Sequence, residues 1–444
     1  MVCSETPDGS QTRMTHPSDQ PEFLRLLFTT PLGTTRSVEV GYDSLTEVVR
    51  DGVFIDGSSV GYAAVNSSDL LLRPSTHEPI REPWDPSAAV LLCGVHDTSG
   101  APHMCDPRNV LNRVVTDAAK QGVTLRVGPE IEFFLVWKTL GNGIVTVDQG
   151  SYCATRPSDG ALGLRREIAR TLSVMGIPTT AHHHEVAAGQ QEIGLAYESA
   201  PEIADRIMLA RLAITELAYS KGMVATFMPK PFAGKSGSGM HLHLSLWDEQ
   251  GSNLFASGLE GTVSNQARHY LAGIMEHASA LSAIVAPTVN SFKRLRPGFE
   301  APTRIAWGPR NRTTMIRIPQ FNGCDKKARI EFRCPDPSCS PHLAIAAVLA
   351  AGLDGVAKNL EPPAPTSEDL YHVESETPSL PGTLIEALHC LQEDRVLRRA
   401  LGEAAVDYIV RLRTAEWRDY VSAAAGQNPP GITDWEIEKY LFLN

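Results

Sequence analysis

The chain has 444 residues, a formal net charge of −11 at pH 7 and a hydrophobic content of 42%. This length exceeds what one hydrophobic core usually serves, so we expect at least two folded units. The acidic balance argues against a general affinity for nucleic acid or anionic membrane, because either partner needs a basic face. No apolar run reaches the roughly 18 residues that a membrane span requires.

The cysteines and the first residues bear on where the protein resides. Eight cysteines are scattered along the chain, without a Cys-x-x-Cys pair or the spacing of a zinc site. Reduced thiols are the simplest interpretation, and we therefore predict a cytoplasmic protein. Residues 1–20 lack an apolar signal core and are rich in polar residues, which predicts a disordered leader. Met14 is a second candidate for the initiating residue.

Short strands bounded by turn residues dominate the first hundred residues. The turn Pro31-Leu32-Gly33 predicts a hairpin, and Ser44–Arg50 is the one candidate for a helix before residue 105. The pattern predicts a small, sheet-rich domain over residues 21–102. Its predicted strands are Phe23–Thr29, Thr35–Val40, Val53–Ile55 and Ala88–Val95.

Helices and strands alternate in the rest of the chain, which predicts a second, larger domain over residues 103–444 and an α+β class. Its first helix is predicted to begin after the N-cap Asp106 and to stop at Gly122. Residues 358–382 are predicted to form a surface loop before a helical C-terminus. The other predicted helices are Gly160–Met175, Pro201–Lys221, Val263–Val285 and Pro341–Leu353. The predicted strands are Thr124–Val136, Met223–Phe227, His241–Trp247 and Arg329–Arg333.

Three of these strands alternate charged or imidazole side chains with apolar ones. Glu130 and Glu132 stand two residues apart and therefore point to one face of their strand. The pattern recurs at His241 and His243, and again around Glu331. A half-exposed amphipathic strand would give the same alternation. Solvent-facing strands, however, favour Thr, Lys and Ser over the Glu, His and Arg found here.

A fourth segment, residues 182–192, adds three imidazoles and the carboxylates of Glu185 and Glu192. Carboxylates that share a cleft must be protonated or neutralised by cations, because like charges at close range cannot all ionise. Oxygen-rich sites with few imidazoles suit Mg²⁺ or Mn²⁺ better than zinc. One such residue alone would more often be structural, but the set predicts a divalent metal site.

An arginine-rich stretch lies between residues 290 and 317 of this otherwise acidic chain. Guanidinium groups bind carboxylate and phosphate bidentately, and carboxylate-bound metals beside arginines are the ingredients of phosphoryl transfer. A salt-bridge network or a subunit interface would use the same residues. The sequence has neither a Walker A loop nor a kinase glycine-rich loop. The arginines are Arg294, Arg296, Arg304, Arg310, Arg312 and Arg317.

Seven motifs carry a family resemblance from about Phe23 to the C-terminus. They are Ile55-Asp56-Gly-Ser-Ser59, Gly128-Pro-Glu-Ile-Glu132, His183 to Glu192, Gly237-Ser-Gly-Met-His241-Leu-His243, Asn290 to Arg294 with Pro297 to Glu300, Asn311-Arg312, and Arg329 to Arg333. Their order resembles the glutamine synthetase family in its short, type I bacterial form. The resemblance implies a small β-grasp-like domain, then a large catalytic domain with a curved antiparallel sheet and flanking helices.

The resemblance also implies an ATP-dependent ligase that joins glutamate to ammonia through γ-glutamyl phosphate, with two ions of Mg²⁺ or Mn²⁺. The first ion would take Glu132, Glu185 and Glu192, and the second Glu130, His241 and Glu331. Glutamate would lie against Glu132, Gly237, Arg294 and Arg333, and ATP against His243, Ser245, Lys326 and Arg329. Arg312 and Arg317 would stabilise the phosphoryl group, and Glu300 would lie on a closing flap. The amine would be bound by Asp56, Ser59, Tyr152 and Glu185, with Asp56 as the base.

Departures from the family pattern keep the acceptor open. Ser236 stands where the family has Asn, and the changed flanking segments fit an organic amine such as a polyamine, ethanolamine or alkylamine. A catalytically silent regulatory or structural member is a third possibility. Tyr371 resembles the position that longer members adenylylate, but a surface tyrosine is the simpler interpretation. The resemblance further implies a dodecamer of two stacked hexamers, in which Asp56 acts across the subunit interface.

Overall fold

The computed structural model describes residues 20–139, 143–259, 261–321, 325–372, 376–426 and 428–443; the predicted leader lies outside them except for its last residue. The first unit is a six-stranded sheet of order β2-β1-β6-β4-β3, in which β5 pairs with β6. Its elements are β1 (Phe23–Thr29), β2 (Thr35–Gly41), α1 (Leu45–Asp51), β3 (Val53–Asp56), β4 (Asp69–Pro74), β5 (Ile80–Glu82) and β6 (Asp85–His96).

The predicted hairpin is confirmed, since β1 and β2 pair antiparallel from Phe23–Gly41 to Thr29–Thr35. Its turn contains Gly33 at φ +83°, a conformation that suits glycine. A Cβ on Gly33 would lie 2.2 Å from the Cβ of Ser340, so the turn rests directly on the larger unit. Strands β4 and β5 were not predicted; the apolar run Leu70–Leu72 of β4 lacks alternation, and β5 has only three residues.

The second unit is built on a ten-stranded sheet of order β14-β15-β16-β13-β7-β10-β9, with β8, β11 and β12 also paired to β7. The sheet is mixed rather than purely antiparallel, because β14 runs parallel to β15. Its strands are β7 (Val123–Lys138), β8 (Ile144–Thr146), β9 (Thr179–His184), β10 (Gln190–Leu195), β11 (Glu198–Ser199), β12 (Val224–Thr226), β13 (Met240–Asp248), β14 (Trp307–Pro309), β15 (Ile316–Ile318) and β16 (Ile330–Phe332).

Helices cover the apolar face of this sheet, where Ile131, Phe133 and Leu135 of β7 are fully buried in the main core. The arrangement confirms the α+β class and leaves the other face of the sheet to polar side chains. The helices are α2 (Pro107–Ala119), α3 (Leu162–Val174), α4 (Ala200–Ser220), α5 (Asn265–Glu276), α6 (Ala278–Val285), α7 (Ser291–Arg294), α8 (Pro341–Lys358), α9 (Leu384–Glu393), α10 (Arg395–Leu401), α11 (Glu403–Ala423) and α12 (Asp434–Tyr440).

Helix α8 is the central helix of the core. Within the described ranges it is the one helix whose length and composition would suffice to cross a membrane, but 72% of its apolar stretch is buried inside the fold. A buried core helix passes the same test, so α8 is no evidence for a membrane span. It runs five residues beyond its predicted end at Leu353 and stops at Asn359, which adopts φ +49°.

The single helix predicted over Val263–Val285 is wrong, because the structure divides it into α5 and α6 at His277. The Nδ1 atom of His277 lies 2.6 Å from Asp394, and its Nε2 atom lies 3.1 Å from Asp354. These two carboxylates come from distant parts of the chain and hold the imidazole at the break. The apolar periodicity continues across it, so the local sequence carried no signal for the division.

Candidate active site

The polar face of the large sheet collects the predicted acidic residues in rows that cross the strands. In the first row, Glu132 on β7 is paired in register with Glu192 on β10, which is paired with His183 on β9. Side chains paired in register lie on the same face of a sheet. The alternation on each strand sets the face, and the register brings the three side chains together.

Two further rows lie beside the first. In one, Glu130 on β7 pairs with His241 on β13, and in the next, His243 on β13 pairs with Glu331 on β16. Glu331 in turn pairs with Arg317 on β15. This last row therefore ends in a guanidinium group that forms a hydrogen-bonded ion pair with Glu331.

The first group of candidate metal ligands consists of His183, Glu185 and Glu192, whose ligand atoms lie within 4.8 Å of one another. Glu132 lies alongside, and its Oε2 atom accepts hydrogen bonds from the Gly239 amide at 2.8 Å and from the Gln190 side chain at 3.1 Å. Burial, together with the charges of Glu185 and Glu192, raises the pKa of Glu132 well above its usual range.

The same conflict of charges affects Glu185. Burial and the nearby Glu192 raise the pKa of Glu185 to about 7. Carboxylates held this close need a cation or a proton, and a donor set rich in oxygen with few imidazoles suits Mg²⁺ or Mn²⁺. The residues present therefore fit the divalent ions that the sequence predicts.

The second group consists of Glu130, His243 and Glu331, again with ligand atoms within 4.8 Å. His241 also belongs here, because its Nδ1 atom lies 3.2 Å from Glu130 and 3.8 Å from Glu331. Burial opposes ionisation of Glu130, but hydrogen bonds to His241 and His243 lower its pKa below the usual range. Burial is likewise outweighed at Glu331, where Arg333 is the strongest of the charges that lower the pKa to about 2.

A cavity of about 560 Å³ lies between these groups and the arginine-rich stretch. Arg294 forms part of its floor and is buried, with its guanidinium group donating to the carbonyl oxygens of Cys334 at 2.8 Å and Arg333 at 3.1 Å. The predicted site residues that line the cavity are Glu130, Glu132, Tyr152, Glu185, Glu192, Gly237, His241, Arg294, Glu300, Arg312 and Arg333.

Two glycines let the loop that contains Gly237 lie against Arg294. A Cβ on Gly237 would stand 2.3 Å from the carbonyl oxygen of Pro229, and one on Gly239 would stand 2.6 Å from Nη2 of Arg294. Both distances are shorter than real Cβ contacts, so a side chain at either position would displace the loop or the guanidinium group. The glycines thus keep the backbone amides of this loop at the edge of the cavity.

A second pocket, of about 300 Å³, adjoins the first at Glu130, which lines both. The residues that the resemblance assigns to ATP, His243, Ser245, Lys326 and Arg329, all line it. The sequence interpretation missed Tyr197 and Arg126, which also line this pocket. Tyr197 stacks on Trp247 with ring centroids 6.3 Å apart, and the guanidinium carbon of Arg126 lies 4.5 Å from the Trp247 ring centroid.

Two predicted amine-site residues stand apart from the cavity within this chain. Asp56 and Ser59 are exposed on the small unit and do not line the cavity. Hydrogen bonds from Ser58 and Ser59 lower the pKa of Asp56 to about 2, which keeps it ionised. Tyr152 does line the cavity, with its ring edge-on to His183 at 5.1 Å between centroids.

Tyr371, interpreted from the sequence as a surface tyrosine, is half-buried and lines the cavity. Its hydroxyl donates a hydrogen bond of 3.0 Å to the carbonyl oxygen of Arg312. The loop after α8 is tied back to the arginine-rich stretch, for example by the Asn311 side chain, which donates to the carbonyl oxygen of Glu368 at 2.8 Å. This long-range pairing left no local signal in the sequence.

The clustered carboxylates and arginines of this fold suit an enzyme site for anionic groups and divalent ions. Family models described as the glutamine synthetase beta-Grasp domain and the glutamine synthetase catalytic domain match residues 20–98 and 104–440. The chain belongs to the glutamine synthetase family. The enzymes of this family are ATP-dependent ligases.

Individual relatives are similar over nearly the whole chain. A glutamine synthetase of Pyrococcus abyssi is 41% identical over 95% of this chain and 97% of its own length. One of Thermotoga maritima is 39% identical over 95% and 96%. A solved structure described as a GmaS/ADP complex superposes with a TM-score of 0.85 at 33% identity, covering 95% of this chain and 97% of that one.

Proposed function

We propose that this protein joins glutamate to ammonia at the expense of ATP, with γ-glutamyl phosphate as the intermediate. The observation that carries the proposal is the pair of adjoining pockets that share Glu130, one lined by Tyr197 and basic residues and the other by carboxylates and arginines. ATP bound in the first pocket would direct its γ-phosphoryl group into the second. The curated relatives that carry the name glutamine synthetase support the same reaction.

The first step makes an unreactive carboxylate electrophilic. The side-chain carboxylate of glutamate attacks the γ-phosphorus of ATP, a C–O–P linkage forms, and ADP leaves. Negative charge spreads over the phosphoryl oxygens in this step and must be neutralised by fixed cations. We assign that role to Arg312 and Arg317, and we assign Arg294 and Arg333 with the Gly237 backbone to the binding of glutamate.

The second step needs an uncharged nucleophile. An ammonium ion must first lose a proton. We assign the removal of this proton to Asp56 of an adjoining subunit, and we assign the binding of the ammonium ion to Glu185, Ser59 and Tyr152 together with Asp56. Nitrogen then attacks the acyl carbon, the acyl C–O bond breaks, and phosphate leaves. Glu300, which adopts φ +58° next to the cavity, would help to exclude the water that otherwise hydrolyses the intermediate.

The divalent ions would be held by the two ligand groups. We propose Glu132, Glu185 and Glu192 for the first ion, with His183 as an additional neighbour that the sequence interpretation left unassigned. Glu130, His241 and Glu331 would hold the second, with His243 on its border with the nucleotide pocket. Ions bound there would neutralise the crowded carboxylates and offset charge on the phosphoryl oxygens.

An organic amine is the second candidate acceptor. It is favoured by the similarity to structures of GmaS, a gamma-glutamylmethylamide synthetase, with a TM-score of 0.85 for the one described with ADP. It is also favoured by the amine end of the cavity, where Tyr152 is 53% exposed. An alkyl substituent on the amine could lie against such a ring without displacing a buried group.

Product analysis separates the two acceptors. The purified protein would be incubated with glutamate, ATP and Mg²⁺, and with ammonium, methylamine, ethanolamine or spermidine in parallel. Phosphate release and the mass of the amide product would be measured in each case. A rate with ammonium no higher than the amine-free background would overturn the main proposal, and a product with methylamine alone would establish the second. An absence of phosphate release with every acceptor would support the catalytically silent alternative.

The assembly and the domain division belong to the same proposal. We propose a dodecamer of two stacked hexamers, because the exposed Asp56 and Ser59 need a neighbouring subunit to reach a cavity. We also propose a division into units of residues 21–102 and 103–444, and a cytoplasmic location. Sedimentation analysis tests the assembly, since a monomer with full activity would contradict a site that is shared between subunits.

A further inference from the structure

Two loops that border the glutamate cavity touch through a lysine and an aromatic ring. We call residues 296–304 the flap and residues 229–239 the glutamate loop. The Nζ atom of Lys230 in the glutamate loop lies 3.3 Å from the centroid of the Phe299 ring in the flap. Phe299 and Glu300 both line the cavity, as does Gly237 at the other end of the glutamate loop. The contact therefore joins the two sides of the cavity mouth.

Lys230 is held rigidly from behind. It is 2% exposed, and its backbone amide donates to Oδ1 of Asn290 at 2.6 Å. The Asn290 side chain donates back to the Lys230 carbonyl oxygen at 3.0 Å and to Glu436 at 2.8 Å. These hydrogen bonds connect the glutamate loop to α7 and α12. They fix the backbone of Lys230, and its ammonium group faces the flap.

The charge of the Lys230 ammonium group is not balanced by an ion pair with a carboxylate in the described ranges. The ammonium group donates instead to the carbonyl oxygen of Lys235. Burial and the positive charges of Arg294 and Arg296 lower the pKa of Lys230 to about 8. A buried cation is unfavourable unless it is compensated, and here the face of the Phe299 ring supplies the remaining attraction.

We propose that Lys230 and Phe299 form a clasp, a contact that holds the flap closed over the glutamate loop from the formation of the acyl phosphate until the amine attacks it. Both are positioning residues, because they act through the flap and do not touch the reacting atoms. The inference rests on the proposed function. Water that enters past an open flap attacks the acyl carbon, breaks the acyl C–O bond and regenerates glutamate. Each such event consumes one ATP and releases phosphate without forming an amide.

The test compares phosphate released with amide formed. Lys230→Met removes the charge and keeps most of the bulk, and Phe299→Leu removes the aromatic face. A desolvated cation–aromatic contact of this kind shifts a two-state equilibrium by roughly five- to thirty-fold. We expect the ratio of phosphate to amide to be near one in the unmodified protein and to rise several-fold in both variants. Lys230→Arg and Phe299→Tyr retain the interaction and should keep the low ratio.

Two comparisons make the outcome specific. The ratio of phosphate to amide in the double variant should be no higher than in either single variant, because each single substitution already removes the same contact. Lys221→Met is the matched control, since Lys221 pairs with Glu167 at 3.2 Å on the surface and lies outside the cavity. Variants that lose phosphate release and amide formation in equal proportion, with an unchanged ratio, would overturn the clasp.

A second measurement does not depend on activity. A glutamate-specific protease can cut the flap after Glu300, and we expect this cleavage to be faster in Lys230→Met than in Lys221→Met or the unmodified protein. Equal cleavage rates in a folded Lys230→Met variant would also overturn the clasp. If the unmodified protein forms no amide with any acceptor, the proposed function fails, whereas the cleavage comparison still decides whether the contact holds the flap.

Discussion

A buried carboxyl at the start of α2 makes the stability of this protein depend on pH. Asp106 is 1% exposed and lies between Tyr62, whose hydroxyl is 3.2 Å from Oδ1, and the Val95 amide, 3.3 Å from Oδ2. Burial is the largest influence and raises its pKa to about 6, although Arg108 opposes the shift. The ordinary value for Asp is 3.8, so the folded protein retains this proton over a wider pH range than the unfolded chain.

The sign of the effect follows from this difference. Between about pH 4 and about pH 6 the folded state binds more protons than the unfolded state, so the free energy of unfolding falls as the pH rises. The stabilising contribution is complete below the unfolded pKa and is lost as the pH passes through 6. At about 1.4 kcal/mol per pH unit, the span from 3.8 to 6 corresponds to about 3 kcal/mol.

Asp106→Asn removes this titration with little change of shape. The Tyr62 hydroxyl already donates to the Thr29 carbonyl oxygen at 2.6 Å, so its oxygen can accept from the Asn amide while the Asn oxygen accepts from Val95. We expect the stability of the variant relative to the unmodified protein to increase by about 3 kcal/mol between about pH 4 and about pH 8. Urea unfolding at fixed protein concentration measures this difference.

The control is Asp97→Asn, which changes a partly exposed carboxylate that Ser99 and Ala101 already hydrogen-bond. It should show no comparable relative gain as the pH rises. The reasoning would be refuted if the stability difference between Asp106→Asn and the unmodified protein were the same at both ends of the pH range. That result would mean that the contacts of Asp106 in the folded protein stabilise its ionised form enough to offset the effect of burial.

Three further predictions address the core, the cavity and the metal ligands. Lys293→Met should cost about 3 kcal/mol in urea unfolding, because it leaves the buried Glu436 without its counter-ion at 2.5 Å. Tyr371→Phe removes the hydrogen bond to the Arg312 carbonyl and, because Arg312 is assigned to the phosphoryl group, should lower kcat by about fivefold, with a smaller change in the KM for glutamate. Mg²⁺ or Mn²⁺ at about 100 times its dissociation constant should stabilise the fold by about 2.7 kcal/mol, seen as a higher thermal midpoint.

Each of these has its own control. Adding Glu436→Gln to Lys293→Met should recover much of the lost stability, because no buried charge then remains unpaired. An unchanged kcat in Tyr371→Phe would mean that the hydroxyl does not help to position Arg312. EDTA should reverse the stabilisation by Mg²⁺. A thermal midpoint that changes with neither reagent would contradict the assignment of the two carboxylate groups as metal ligands.

Much of the site was predictable because side-chain direction along a strand is a local property. The two-residue spacing of Glu130 and Glu132, and of His241 and His243, is enough to place each pair on one face of its strand. The hairpin of β1 and β2 was likewise predictable from its turn residues and flanking strands. In each case the information lies within about ten residues of sequence.

What the sequence by itself determined is therefore the type of most of the longer elements and the face on which their polar residues stand. Tertiary structure alone decided which faces meet: the register that pairs His243 with Glu331, the stacking of Tyr197 on Trp247, and the return of Tyr371 to the cavity. The break at His277 belongs with these, since its carboxylate partners lie 77 and 117 residues away. Local sequence limits backbone conformation, whereas register and packing depend on contacts between segments that no local pattern specifies.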